Sequence, residues 1–483
     1  MSSELWRLSA HESGTLIEAR ELSPVELTEA LLERIDELNP HLNAFITVTP
    51  ERARRDAKAA EARALRGERL GPLDGVPHSI KDLEPTAGIR TTGGSMWAKD
   101  HVPGHDSLVV ARLGATGSPL LGKTNTPHAG YKDMTDNLLG PPTRNPWDPT
   151  RTPGGSSGGA AAAVAAGLGS LAQGGDGGGS VRIPASFCGA VGVKPSNGLI
   201  PKWPSSDWYA GLATAGTLTT TVTDAALMLN VLAGPDRRDP LSIDREPPDF
   251  IEACRGSVRG LRVAWSPDLG HATVDATVGE VSARAALLFE RLGASVEEVR
   301  IGWGRLAREI IHPTWAIHFV ARFAESAEER PDWIEPSLLA YVRDGHGRSA
   351  MEYRRLLARR AELYDRVRQL FDTYDLLLTP TMPATAWPAD VEPETPLFDR
   401  LPFTYPFNLT GHPAASVPCG LDHAGLPVGL QIVADRHRDD RVIAAAARFE
   451  EARPWPVHPP LLDRPAGLPE EPGRSACPQR GAR

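Results

Sequence analysis

The chain has little cysteine. Its four, Cys188, Cys254, Cys419 and Cys477, are scattered through 483 residues without the close spacing of a metal site or a disulfide framework. A reducing, cytoplasmic setting is therefore expected. Long apolar runs are also missing: no uninterrupted stretch reaches the roughly 18 residues a membrane span needs. The opening Met-Ser-Ser-Glu-Leu-Trp lacks the positive region and apolar run of a secretory leader. Positive charge is in deficit, with 52 Lys and Arg against 61 Asp and Glu, a net −9. No basic stripe offers itself, which disfavours nucleic acid as an obligate partner. Metal-type clusters of His, Cys and Asp are absent, and so is any internal repeat.

What the chain does have is a block of glycine, serine and alanine between Pro153 and Pro195. It runs Gly-Gly-Ser-Ser-Gly-Gly (154–159), a small-residue segment to Leu168, then Gly-Gly-Asp-Gly-Gly-Gly-Ser-Val-Arg-Ile-Pro (174–184). Glycine suits sharp turns and close backbone approach. Alanine is the best helix former, so 158–168 predicts a closely packed helix. Ser156 and Ser180 then sit at opposite ends of one helix and return to a common point. A glycine run ending in serine can aim several N–H groups at one spot, as an oxyanion requires. Alone, the first run would read as a linker; its small-residue helix and the second loop argue otherwise. Neither run is followed by the Gly-Lys-Ser/Thr of a phosphate cradle, and Ser180 lacks the Gly-x-Ser-x-Gly elbow.

Either side of the block, strand-like and helical runs alternate. Ser23-Pro24 predicts a helix start, with Leu27, Leu31, Leu32, Ile35 and Leu38 on one face and an end at Asn39-Pro40. A second helix is expected over 50–65. Residues 76–80, 107–113 and 119–122 read as β-type runs, and 217–232 as a helix. Further strands are expected at 261–265, 375–380 and 428–433, with helices at 275–292 and 440–451. The whole suggests one large α/β domain, a central mixed sheet with helices on both faces. Residues 1–66 are expected to form an N-terminal helical segment on that core and 67–462 the main domain, with its centre at about 75–200. The Arg-, Glu- and aromatic-rich region of about 303–374 reads as a helical cap, and 463–483 as a disordered tail.

The block resembles the amidase signature family, whose hallmark is a Ser–cis-Ser–Lys triad. The likeness extends to Gly75-Val-Pro-His-Ser-Ile-Lys81-Asp82, Leu121–Pro127, Thr143–Pro149, Phe403–Pro413 and Gly425–Val433, covering roughly residues 5–460. It implies Ser180 as nucleophile, Ser156 on a cis bond after Gly155 as relay, and Lys81 as neutral base, its pKa lowered by burial. Asp82 should point away from Lys81, as neighbours do in an extended chain. The oxyanion hole is assigned to N–H groups of Gly177, Gly178, Gly179 and Ser180. Ser157 is expected to hydrogen-bond Lys81 or Ser156, and Asp176 with Arg182 to brace the loop. Gly175 and Gly177 stand where many members carry threonine, His128 where many carry glutamate and His412 where many carry glutamine. Cys188, His78, His128 and His412 read as structural or pocket-lining rather than reactive.

The implied activity is hydrolysis of a small-molecule amide through an acyl-enzyme, with no metal or organic cofactor. The resemblance allows a homodimer. The alternative within the family is the glutaminase subunit of a glutamyl-tRNA amidotransferase. There the nucleophile is usually followed by Arg-Gln-Pro, whereas this chain has Arg182-Ile183-Pro184. Trp203, Trp208, Tyr209, Trp315, Phe319 and Trp333 suggest a pocket that prefers an aryl or apolar amide.

Overall fold

A computed structural model describes residues 2–205, 211–455 and 459. The tail 463–483 and the pocket candidates Trp208 and Tyr209 lie outside the described residues. Among the described residues, eleven strands form one mixed sheet. The first six are β1 (Phe45–Val48), β2 (His78–Lys81), β3 (Leu120–Thr124), β4 (Leu171–Asp176), β5 (Val191–Lys194) and β6 (Thr214–Thr219). The remaining five are β7 (Arg262–Trp265), β8 (Ser295–Glu298), β9 (Leu376–Pro380), β10 (Ala414–Leu421) and β11 (Pro427–Ala434). Their spatial order is β1-β3-β2-β4-β6-β5-β10-β11-β9-β7-β8. Central strands such as β2, β9 and β11 are buried along their whole length because helices cover both faces. That is the α/β architecture the alternating pattern implies.

Three local expectations fail, each for a readable reason. Residues 107–113 are not a strand but lead into the helix Leu108–Ala115. The adjacent valines 109 and 110 mimic a β-run, yet Leu108, Val109, Val110 and Leu113 all find burial on a helical segment; tertiary packing overrides the propensity. The expected helix over 217–232 splits into β6 and the helix Val222–Leu232. Its threonine-rich start is β-branched and pairs with β4 and β5, while Thr221 Oγ1 accepts the Asp224 N–H at 3.1 Å as the N-cap. Finally, the first long helix runs from Pro24 to Leu42, past Pro40. A proline in the last turn forfeits a single bond, and the fully buried Leu42 holds the end, capped by Asn43 at φ 48°.

The site is placed by strands that run the same way. β2 is parallel to both β3 and β4, with Ile80 beside Gln173, so the carboxyl ends of β2 and β4 emerge together. In α/β sheets that edge is where ligands bind. The helix Gly158–Ala165 is buried at every residue. It fits because it is small: a Cβ on Gly159 would run into the Asn125 backbone. No helix among the described residues is long and apolar enough to cross a membrane.

Candidate active site

Lys81 ends β2 with its side chain fully buried. Its Nζ donates to Ser156 Oγ at 2.7 Å and to Ser157 Oγ at 2.9 Å, with the Gly175 carbonyl at 3.5 Å. Burial pushes the ammonium down to about 7, against the opposing pull of the Asp176 and Glu84 charges. Among the described residues no carboxylate hydrogen-bonds it. Asp82 faces away, as alternation along a strand requires: its Oδ2 accepts the Thr92 N–H at 2.9 Å, and its Oδ1 lies 3.8 Å from Lys123 Nζ.

Ser156 and Ser157 enter from the first glycine run, and the Gly155–Ser156 peptide is cis. Ser157 is bonded on every side. Its hydroxyl takes the Lys81 bond, accepts Gly175 N–H and donates to Gly175 C=O, both at 3.2 Å, while its N–H reaches the Ser180 carbonyl at 3.0 Å. The two glycine loops are thereby tied together beside the amine. Ser180 sits at the mouth of this arrangement, 8% exposed, lining a cleft with Gly155 and Gly178. No hydrogen bond joins Ser180 Oγ to Ser156 or to any other described residue.

The loop that carries Ser180 hangs on Asp176 and Arg182. Asp176 Oδ1 accepts Gly179 N–H at 2.8 Å, and its Oδ2 accepts Val181 N–H at 3.1 Å. Arg182 is fully buried and spends all five of its donors. They go to Asp176 Oδ2 (3.0 Å) and Oδ1 (2.9 Å), Thr404 C=O (2.9 Å), Gln431 Oε1 (2.7 Å) and Asn408 Oδ1 (2.7 Å). Burial opposes ionisation of Asp176, but the Arg182 guanidinium holds its carboxyl well below the usual carboxylate range. One part of the oxyanion assignment needs correction. Gly179 N–H already belongs to Asp176, which leaves the N–H groups of Gly177, Gly178 and Ser180 without a partner among the described residues. Gly179, at φ 130°, serves instead as the bend; a Cβ there would collide with Thr404 Oγ1.

Removing one member of this buried pair should be costly. Asp176→Ala is expected to lose about 3–5 kcal/mol, because the Arg182 charge stays buried and uncompensated. A urea titration would read it as a lower midpoint at unchanged slope; a midpoint equal to wild type would refute the bracing role.

Sequence reasoning missed Thr404, Asn408 and Gln431, although all three lie in the segments that carry the family likeness. Thr404 Oγ1 donates to Gly178 C=O at 2.6 Å, and Asn408 Nδ2 donates to Asp176 C=O at 2.9 Å. A fully buried polar side chain must find such partners, but the chain alone does not say which. His128 and His412 stay outside the site. His128 Nδ1 pairs with buried Glu335 Oε2 at 2.9 Å, and His412 Nδ1 pairs with Thr410 Oγ1 at 2.8 Å. Cys188 is a buried thiol whose pKa burial raises far above neutrality, as its structural reading requires.

The cleft at Ser180 is walled mainly by Tyr131, Ile183, Trp315, Leu397, Phe398 and Leu401, with Lys132 and Asp133 also on its lining. It leaves about 10 Å³ open, roughly the room for one water. Of the aromatic candidates, Trp315 lines it and Phe319 stands behind, edge-on at 5.3 Å. Trp203 instead packs on His105 at 5.5 Å, and Trp333 on Trp97 at 5.0 Å. A larger cavity of about 540 Å³ lies beyond the short helix Leu397–Arg400 and shares Phe398 as a wall.

Comparison with known proteins gives a consistent result. A family model described as Amidase matches residues 26–443. An acylamidase of Rhodococcus erythropolis is 41% identical over 93% of this chain and 96% of its own. A glutamyl-tRNA(Gln) amidotransferase subunit of Moorella thermoacetica is 36% identical over 95% of this chain and 99% of its own. The crystal structure of a bacterial aryl acylamidase of the amidase signature family superposes with a TM-score of 0.89 at 35% identity, covering 96% of this chain and 99% of that one. Matched almost end to end in sequence and in fold, the chain belongs to the amidase signature family.

Proposed function

We propose that the protein hydrolyses a carboxylic acid amide through Ser180, Ser156 and Lys81. The observation that carries this reading is the 2.7 Å contact between Ser156 Oγ and a buried lysine amine whose pKa lies at about 7. A neutral amine reverses that bond and accepts the Ser156 proton, while Ser156 takes the proton of Ser180. Ser180 Oγ then bonds the carbonyl carbon, and the oxygen gathers negative charge toward the N–H groups of Gly177, Gly178 and Ser180. Collapse breaks the C–N bond. The amine leaves with the proton returned through Ser156, and water frees the acid from the Ser180 ester. In this reading residues 303–374 serve as a cap over the cleft.

The apolar walls favour an aryl or apolar amide over a small polar one, in keeping with the relatives named acylamidase and aryl acylamidase. A panel of acetanilide, acetamide, phenyl acetate and glutamine, given to the single chain, tests this. Acetanilide should be cleaved with a kcat/KM well above that of acetamide. Preference for acetamide defeats the aryl reading, and ammonia release from glutamine alone would favour the tRNA amidotransferase reading.

A further inference from the structure

The second glycine loop carries no side chain at Gly177, and something else occupies that flank. A Cβ built there would lie 3.5 Å from Trp315 Cη2 and 3.5 Å from Ala213 Cβ. One carbon fits; the γ atoms of a larger residue extend about 1.5 Å further and meet the indole. Trp315 thus closes over the loop whose N–H groups face the reacting carbonyl. It belongs to the helix Gly304–Glu329, so a residue from the distant cap region forms a wall at Ser180.

Its position is fixed on several sides. The indole N–H donates to the Tyr131 carbonyl at 3.1 Å. Phe319 meets the ring at 5.3 Å and Phe398 at 5.7 Å, both near perpendicular, which is a favoured aromatic geometry. A side chain held this way does not turn aside for a bulky substrate without breaking that bond.

The directions around Ser180 say which part of a substrate meets it. The carbonyl oxygen turns to Gly177, Gly178 and Ser180 N–H. The leaving nitrogen must reach Ser156 Oγ, which is packed against Gly130, where a Cβ would stand 3.0 Å away. Of the other walls, Trp315 and Phe398 are the ones that stand against Gly177 and Gly178, where a Cβ would lie 3.5 Å and 3.9 Å from them, so the acyl substituent meets these two rings first. We infer that Trp315, seated where Gly177 lacks a side chain, sets the size of acyl group the enzyme accepts, restricting it to short or flat acyl groups. This rests on the amidase reading above.

Anilides of rising acyl length, from acetanilide to octananilide, test it in wild type, Trp315→Ala and Trp315→Phe. Each added methylene in a pocket discriminates by roughly 10–200-fold. Trp315→Ala should therefore raise the octanoyl-to-acetyl ratio of kcat/KM at least about tenfold, mostly through KM for the long substrate, with Trp315→Phe intermediate. Loss of rate on every anilide in equal proportion would mean a merely structural role and overturn the inference. If Trp315→Ala does not fold, the ratio in Trp315→Phe decides: unchanged within twofold, the inference is wrong. Wild type inactive on all anilides would instead defeat the amidase reading, a result plainly different from activity with an unaltered ratio.

Discussion

Ser180→Ala is expected to abolish amide turnover and leave the chain folded. Loss of the nucleophile in a serine protease costs on the order of 10⁶ in kcat, the remainder coming from oxyanion donors and binding. In the proposed mechanism those donors are the N–H groups of residues 177, 178 and 180, which belong to the backbone and survive the substitution. The fold should survive as well. Ser180 Oγ makes no hydrogen bond to a described residue, and its carbonyl still accepts the Ser157 N–H at 3.0 Å. Anilide hydrolysis and thermal unfolding measured on the same sample separate the two effects. A fluorophosphonate probe should label wild type at Ser180 and leave the variant unlabelled. Turnover within tenfold of wild type would remove Ser180 from the chemistry.

The second large effect is at Lys81. Lys81→Met should lower kcat by about 10²–10⁴, the usual contribution of a positioned general base. In wild type the rate should rise with pH through about 7, as burial makes the amine neutral there. A profile flat across that range would contradict a neutral base. Stability should rise with pH as well, over a window that begins where the activity rise ends. An exposed lysine titrates at about 10.4, so between about 7 and 10 the unfolded chain holds a proton that the folded one releases. Wild-type stability then falls as pH drops through that window, by about 1.4 kcal/mol per unit, and levels off below it. Methionine carries no proton in either state. The variant should therefore gain on wild type as pH falls toward 7, in denaturant midpoints measured at several pH values. An inactive variant that is also less stable at neutral pH would mean that Lys81 is buried as a charge.

Much of this site was legible in the chain. The glycine runs around 158–165 announced two loops and a small-residue helix, because glycine suits sharp turns and alanine favours helix. Lys81 came from the family likeness of residues 75–82, with which its place at the end of a short apolar run agreed, and the outward turn of Asp82 from strand alternation. The donors left at 177, 178 and 180 were harder to read. Assigning all the N–H groups of that run to an oxyanion was reasonable from spacing, but the Asp176 carboxylate three residues upstream of Gly179 claims one of them. Such competition is decided by distances, not by order along the chain. The β-branched pair Val109-Val110 and the threonines before Val222 misled in opposite directions: at the valines packing outweighed local preference, whereas the threonines kept their β-branched preference and joined the sheet. The cleft walls were the least legible. Trp315 lies 135 residues beyond Ser180, and nothing local to it distinguishes it from Trp203 or Trp333, which pack elsewhere.

The Arg182 hub has a consequence for how the protein comes into being. Lys81, Ser156 and Ser180 have all left the ribosome before the chain is half made, yet Thr404, Asn408 and Gln431, which shape the loop around them, emerge only near the end. A nascent chain therefore carries the three proposed catalytic residues through a long stretch of synthesis without the scaffold that shapes their loop. In the proposed mechanism the set becomes competent only when the helix Tyr405–Thr410 and the strand Pro427–Ala434 dock.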